Sequence, residues 1–169
     1  MVSPKRPEEE LREGSYHLYY EISIFFETAR WYSEIKKAAQ GTVNVSIPLT
    51  VLQNAFLESF LIHARLLLEF FHKECFQPDD IKPSDFLSDE GDSKKIIKPD
   101  KLLMKEKDHM DKKLAHLTYT RSREYAWNLS AILKGIVDCL NSYIPLMRQD
   151  ILDPIWNKPP IFQVDCGGG

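Results

Sequence analysis

The sequence predicts an all-α protein, an up-and-down bundle of four principal helices with a long loop between the second and third. Three observations carry that expectation. Pro48 to Cys75, PLTVLQNAFLESFLIHARLLLEFFHKEC, is apolar around most of a helical wheel. Three amphipathic stretches with apolar residues at three- and four-residue spacing surround it, one before and two after. Gln77 to Asp100, between the second and third of these helices, is rich in Pro, Asp, Ser and Lys. At 169 residues the chain supports one domain with a real core, assigned to 1–147, followed by a proline-containing tail over 148–169.

The first ten residues are expected to be loose. A helix then starts between Glu8 and Ser15 and runs to about Gln40, with Leu11, Leu18, Ile22, Phe25, Ala29 and Tyr32 on one side and Tyr19, Phe26 and Trp31 broadening it. Gly14-Ser15 leaves two readings: a continuous helix at a cost of about 1 kcal/mol for the glycine, or a later start capped by Ser15. Gly41 ends this helix, and the short GTVNVSI linker forces the next one back antiparallel.

The second helix opens on Ser46 as cap and Pro48 in the first turn. Its apolar face holds Leu49, Leu52, Phe56, Phe60, Leu67 and Phe70. Leu57, Leu61, Ala64, Leu68 and Phe71 widen the face on one side, and Ala55, Ile62 and Leu66 on the other. So broad a face calls for several packing neighbours, making this helix the expected centre of the bundle. Glu58, His63, Arg65 and Glu69 interrupt it, so it is not read as a membrane span.

Gln77 to Asp100 holds Pro78, Pro83, Pro99 and Gly91, and without a phosphate-binding glycine motif or metal-ligand spacing it reads as disordered. Within it, IKPSDFL is the piece that could dock, through Phe86 and Leu87. A third, shorter helix begins near Asp100 or Asp108, with Met110, Leu114 and Leu117 inward and His109, Lys112, Lys113 and His116 outward. After a break at Thr118 to Ser122, a fourth runs from about Arg123 to Met147 on a stripe of Tyr125, Leu129, Ile132, Ile136, Leu140 and Tyr143 or Ile144. Pro154, Pro159 and Pro160 stop the tail from continuing the helix, leaving Ile151, Ile155 and Trp156 to pack across the bundle, while the final CGGG reads as a flexible end.

A net charge of −3 with 28% charged residues excludes a strongly basic nucleic-acid binder and a disordered tail, so any RNA contact would be local. Cys75, Cys139 and Cys166 are odd in number and far apart, which favours reduced thiols in a cytoplasmic protein and argues against a zinc site. MVSPKRPEEE lacks the apolar stretch of a signal peptide, so secretion is not expected.

Chemical motifs are mostly missing: there is no GxSxG, P-loop, HExxH or ExxH, and no metal or cofactor is expected. The polar residues of the second helix remain. Asn54, Glu58, Arg65, Glu69 and His72 form one narrow stripe, read either as a solvated seam or as a polar groove between packed helices. His63 falls on the apolar face, where an imidazole is a hydrogen-bonded core residue or a ligand.

DKKLAHLTYTR, Asp111 to Arg121, taken with HARLLLEFF, His63 to Phe71, resembles the HEPN superfamily, four-helix bundles in which a long second helix is followed by a loop and a short histidine-bearing helix. The layout covers roughly residues 15–146 and the motif some twenty of them. Nuclease members cut RNA without metal across a dimer interface, using a histidine and a preceding arginine with four to six residues between the two. His116 matches the histidine, but His109, Met110 and Asp111 stand where that arginine would be. The resemblance therefore implies a homodimeric, RNA-associated family whose catalytic pair is incomplete here. The expectation is a HEPN-like interaction module without catalytic activity, a homodimer with no membrane contact and with a protein partner or RNA left open. Two alternatives accompany it: a metal-independent endoribonuclease using His116, with Arg121 supplying charge, and a small-molecule binder in the polar seam.

Overall fold

The computed structural model describes residues 6–39, 48–73, 76–114 and 125–158. Among these, four α-helices carry the fold: α1 (Glu8–Ala38), α2 (Leu49–His72), α3 (Lys101–Leu114) and α4 (Leu129–Tyr143). Short 3-10 turns fill much of the rest of the described residues, and the protein is all-α.

Helix α1 is continuous through Gly14 and Ser15, the first of the two readings. Glu8, Glu9 and Glu10 in its first turn and Lys36 and Lys37 in its last complement the helix dipole. Ser15 is buried and is an anchor, not a cap. Its Oγ donates to the Arg12 carbonyl at 2.7 Å and accepts from the Asp153 amide at 2.8 Å, and its own carbonyl accepts from Trp156 Nε1 at 3.0 Å. The proline-rich tail is thereby tied across α1, with Ile151 and Leu152 buried and Trp156 edge-on to Tyr19. Trp31, expected on the buried side, lies outside and half exposed, its ring against Phe56 of α2.

Helix α2 touches α1, α3 and α4. Phe60, Leu61, Ala64, Leu67, Leu68 and Phe71 are its buried stripe. Phe60 stacks on Phe25 of α1, and Phe70 and Phe71 meet Tyr143 of α4 edge-to-face, both with centroids 5.6 Å apart. Pairing of Trp31 with Phe56 and of Glu21 with His63 sets α1 and α2 antiparallel, as the short linker required. The breadth of the apolar face overstated burial: Leu49, Leu52 and Phe56 are only partly covered, and Ala55, Ile62 and Leu66 are exposed. By length and composition α2 could also cross a membrane, with a mean hydropathy of 1.2 over its most apolar window, 28% of which is buried.

The expectation of disorder between Gln77 and Asp100 is overturned. Pro83–Phe86 and Glu90–Lys95 are 3-10 turns, and Phe86 and Leu87 enter the core. Leu87 pairs with Met147 in an isolated antiparallel bridge, with the Arg148 amide donating to the Phe86 carbonyl at 2.8 Å. Tyr143, fully buried, donates its hydroxyl to the Pro83 carbonyl at 2.9 Å, giving the ring a polar partner that burial would otherwise have removed. Asp100 caps α3 by accepting from the Leu103 amide. Leu103, Glu106 and Met110 are the buried side of α3, and Leu114 packs against the core.

Helix α4 starts later than expected because Asn128, not a residue near Arg123, caps it by accepting from the Ala131 amide. Ile132, Ile136, Cys139, Leu140 and Tyr143 are its core stripe. Gly135 faces Leu103, and a Cβ there would come within 3.0 Å of the Leu103 Cγ, so the glycine permits the close approach of α3. Ser46, Cys75, Leu117, Arg123 and Cys166 lie outside the described residues.

Candidate functional site

The polar stripe of α2 divides along its length. Asn54 and Glu58 are exposed, on the half of the helix that has no buried residue. Arg65 and Glu69 are half-buried because α3 crosses beside them. The Arg65 guanidinium binds Asp111 of α3, Lys107 reaches the other oxygen of that carboxylate at 2.8 Å, and Glu69 lies 4.0 Å from Arg65. At this end the stripe is an ion-pair seam between two helices.

His63 looks the other way. Its Nδ1 is 2.6 Å from Glu21 Oε2 of α1, with Tyr20 edge-on to its ring. The imidazole is thus a hydrogen-bonded tie across the α1–α2 contact.

Next to Glu21 a cleft of about 360 Å³ opens between α1, α2 and residues 76–81. Phe70, Phe76 and Ile81 supply apolar wall, and Glu21, Glu69, Lys73 and Asp80 supply charge. Lys73 bonds Asp80 at 2.6 Å and lies 3.7 Å from Glu69. The hydrogen bond from Lys73, aided by the Gln77 amide, holds the Asp80 carboxyl below the usual carboxylate range. Of the cleft's charged groups only Glu69 was singled out in the sequence. The others come from α1, from the end of α2 and from the following turn, and their convergence depends on the register between α1 and α2.

A second polar cluster closes the far end of α3. The Tyr125 hydroxyl donates to the buried Glu106 at 3.3 Å, His109 packs on the Tyr125 ring with centroids 4.6 Å apart, and Lys113 Nζ sits 4.1 Å from the ring centre. Burial and the Glu106 carboxylate push the Tyr125 phenol up. His116 and Arg121 lie outside the described residues. The three positions where the resemblance would place an arginine are occupied structurally: His109 by Tyr125, Met110 by the core and Asp111 by Arg65 and Lys107.

Cys139 is buried, and desolvation pushes its thiol up to about 12, so it stays protonated and is not a nucleophile. Among the described residues no group of three or more His, Cys, Asp or Glu is arranged to hold a metal ion. No family model, no curated protein and no solved structure matches this chain.

Proposed function

We propose that this chain is a HEPN-like, non-catalytic interaction module, an up-and-down bundle that works as a homodimer through the outer face of the α1–α2 hairpin. One observation carries the reading. Of eight exposed large apolar side chains among the described residues, six lie on these two helices: Tyr16, Tyr20 and Trp31 on α1, and Val51, Ile62 and Leu66 on α2. Tyr16, Tyr20 and Trp31 recur on one side of α1 at 3.6 residues per turn, and Val51, Ile62 and Leu66 on one side of α2. The contacts of Tyr20 with His63 and of Trp31 with Phe56 run the two rows together.

At about half exposure each, these side chains present on the order of 600 Å². That is the upper end of a monomer's largest patch and most of the ~800 Å² that each partner buries in a standard interface. A two-helix layer of this kind is covered by a second such layer under a two-fold axis, since the same patch then serves both subunits. Glu13, Glu27 and Glu58 are also exposed on these helices beside Arg12 and Arg30, a mixed setting without the concentrated positive charge that a phosphate backbone or an anionic membrane calls for.

Analytical ultracentrifugation tests this. Wild-type protein is expected to sediment as a dimer at micromolar concentration, and Ile62→Glu with Val51→Glu as a monomer of unchanged helical circular dichroism. A wild type that is monomeric to about 100 μM, or a dimer that ignores both substitutions, would overturn the proposal, as would flotation of the protein with neutral vesicles through the same residues. The same sample is expected not to cut single-stranded RNA. EDTA-resistant cleavage that disappears in His116→Ala would replace this reading with the endoribonuclease one.

A further inference from the structure

We propose that the cleft between α1, α2 and residues 76–81 binds a small organic cation with an apolar body, an alkylammonium or aryl-alkylammonium ion. Its volume of about 360 Å³ lies at the lower end of small-molecule sites. The walls suit an apolar body, with Phe70 and Phe76 supplying aromatic surface and Leu66, Leu67 and Ile81 aliphatic surface.

The charge sets the sign of the ligand. Three carboxylates, Glu21, Glu69 and Asp80, share the cleft with Lys73 and His17, and Lys82 lies beside them over the Phe76 ring, so carboxylates still outnumber the two lysines. Two of the three are closely engaged, Glu21 by His63 at 2.6 Å and Asp80 by both Lys73 and the Gln77 amide at 2.6 Å. Glu69 is held only at the outer limit of ion pairing, 3.7 Å from Lys73 and 4.0 Å from Arg65, whose guanidinium is drawn to Asp111. Glu69 therefore has accepting capacity to spare, and with a third of its side chain exposed it is reachable. The Phe76 ring already attracts two ammonium groups, Lys73 at 5.8 Å and Lys82 at 5.7 Å from its centre.

An anion would meet three carboxylates. A neutral apolar molecule would strip water from Glu69 without replacing it. An organic cation satisfies the carboxylate and the aromatic wall together.

Calorimetric titration with hexyltrimethylammonium, hexylamine, 1-hexanol and hexanoate separates these cases. Saturable binding of the two cations is expected, with the alcohol and the carboxylate at least about tenfold weaker. Glu69→Gln is expected to weaken both cations about fivefold or more, and Phe76→Leu to weaken the quaternary ion most, each at an unchanged melting temperature. Glu34→Gln removes an equal charge thirteen residues, about 20 Å, along α1 from Glu21 and should change nothing. The proposal is overturned by equal binding of 1-hexanol, by equal losses in Glu34→Gln and Glu69→Gln, or by no cation binding up to about 10 mM. Leu66 borders both this cleft and the proposed dimer face, yet the two ideas fail separately, since a monomer that binds the cations refutes only the dimer.

Discussion

Asp111 accepts from Arg65 of α2 and from Lys107 of its own helix, so a single half-buried carboxylate ties α3 to α2. Burial opposes its ionisation, but the hydrogen bonds from Lys107 and Arg65 outweigh that and hold the carboxyl below its ordinary 3.8. A group whose pKa is lowered on folding contributes stability above its unfolded value, and that stability is lost as pH falls through the folded one. Asp111→Asn is therefore expected to cost about 1–2 kcal/mol in urea unfolding at pH 7. The gap should narrow as pH falls below 3.8 and close once the wild-type carboxyl has taken up its proton. A gap that persists at low pH would mean that Asp111 acts through packing. The sequence marked Arg65 and Glu69 as neighbours on one helix, but the stronger partner, Asp111, is distant in the chain and stands out there only as a position where the resemblance would place an arginine. His63 shows the same limit: its place on the wheel said that it needed a partner, and only the register of α1 against α2 supplied Glu21.

At the scale of elements, residues 83–95 and the tail after α4 departed furthest from expectation. Proline, glycine, aspartate and serine dominate the first segment, and composition of that kind hides the two apolar side chains that decide its fate. IKPSDFL was the legible part, since Phe86 and Leu87 stood out, but their burial requires the bridge to Met147 and the hydroxyl of Tyr143, both contributed by the other end of the chain. Phe86→Ala is expected to cost about 3–5 kcal/mol, because a ring that is 1% exposed leaves a cavity when removed. Deletion of 84–95 should lower the melting temperature at least as much. A deletion variant that melts like wild type would show the segment to be a passenger. In the tail, α4 ends at Tyr143, earlier than the expected Met147 and ahead of Pro154, and Ser15 of α1, one reading of which was a cap, proved to be the mooring of the segment that follows.

Across the whole molecule, α2 couples the other three helices through Phe60, Leu61, Ala64, Leu67, Leu68 and Phe71. Phe60→Ala or Leu67→Ala is expected to cost about 2–5 kcal/mol. Lys134→Ala, on an exposed side chain of α4, should change stability by less than about 0.5 kcal/mol. Chemical denaturation followed by both near- and far-ultraviolet circular dichroism checks this: equal, small losses for all three would remove α2 from the centre. The four helices and the breadth of α2 were readable in advance because helical periodicity is local, set by a repeat of 3.6 residues and by capping groups within a turn of each end. Which flank of α2 is covered and which is left to water is not local. It depends on where α1, α3, the 83–95 turns and α4 come to rest, and those positions follow from side chains meeting across the chain. For that reason the sequence by itself determined the helical class and most of the core stripes. Only the tertiary structure decided that Ile62 and Leu66 face outward, that Phe86 faces inward and that Glu21, Glu69 and Asp80 share one cleft.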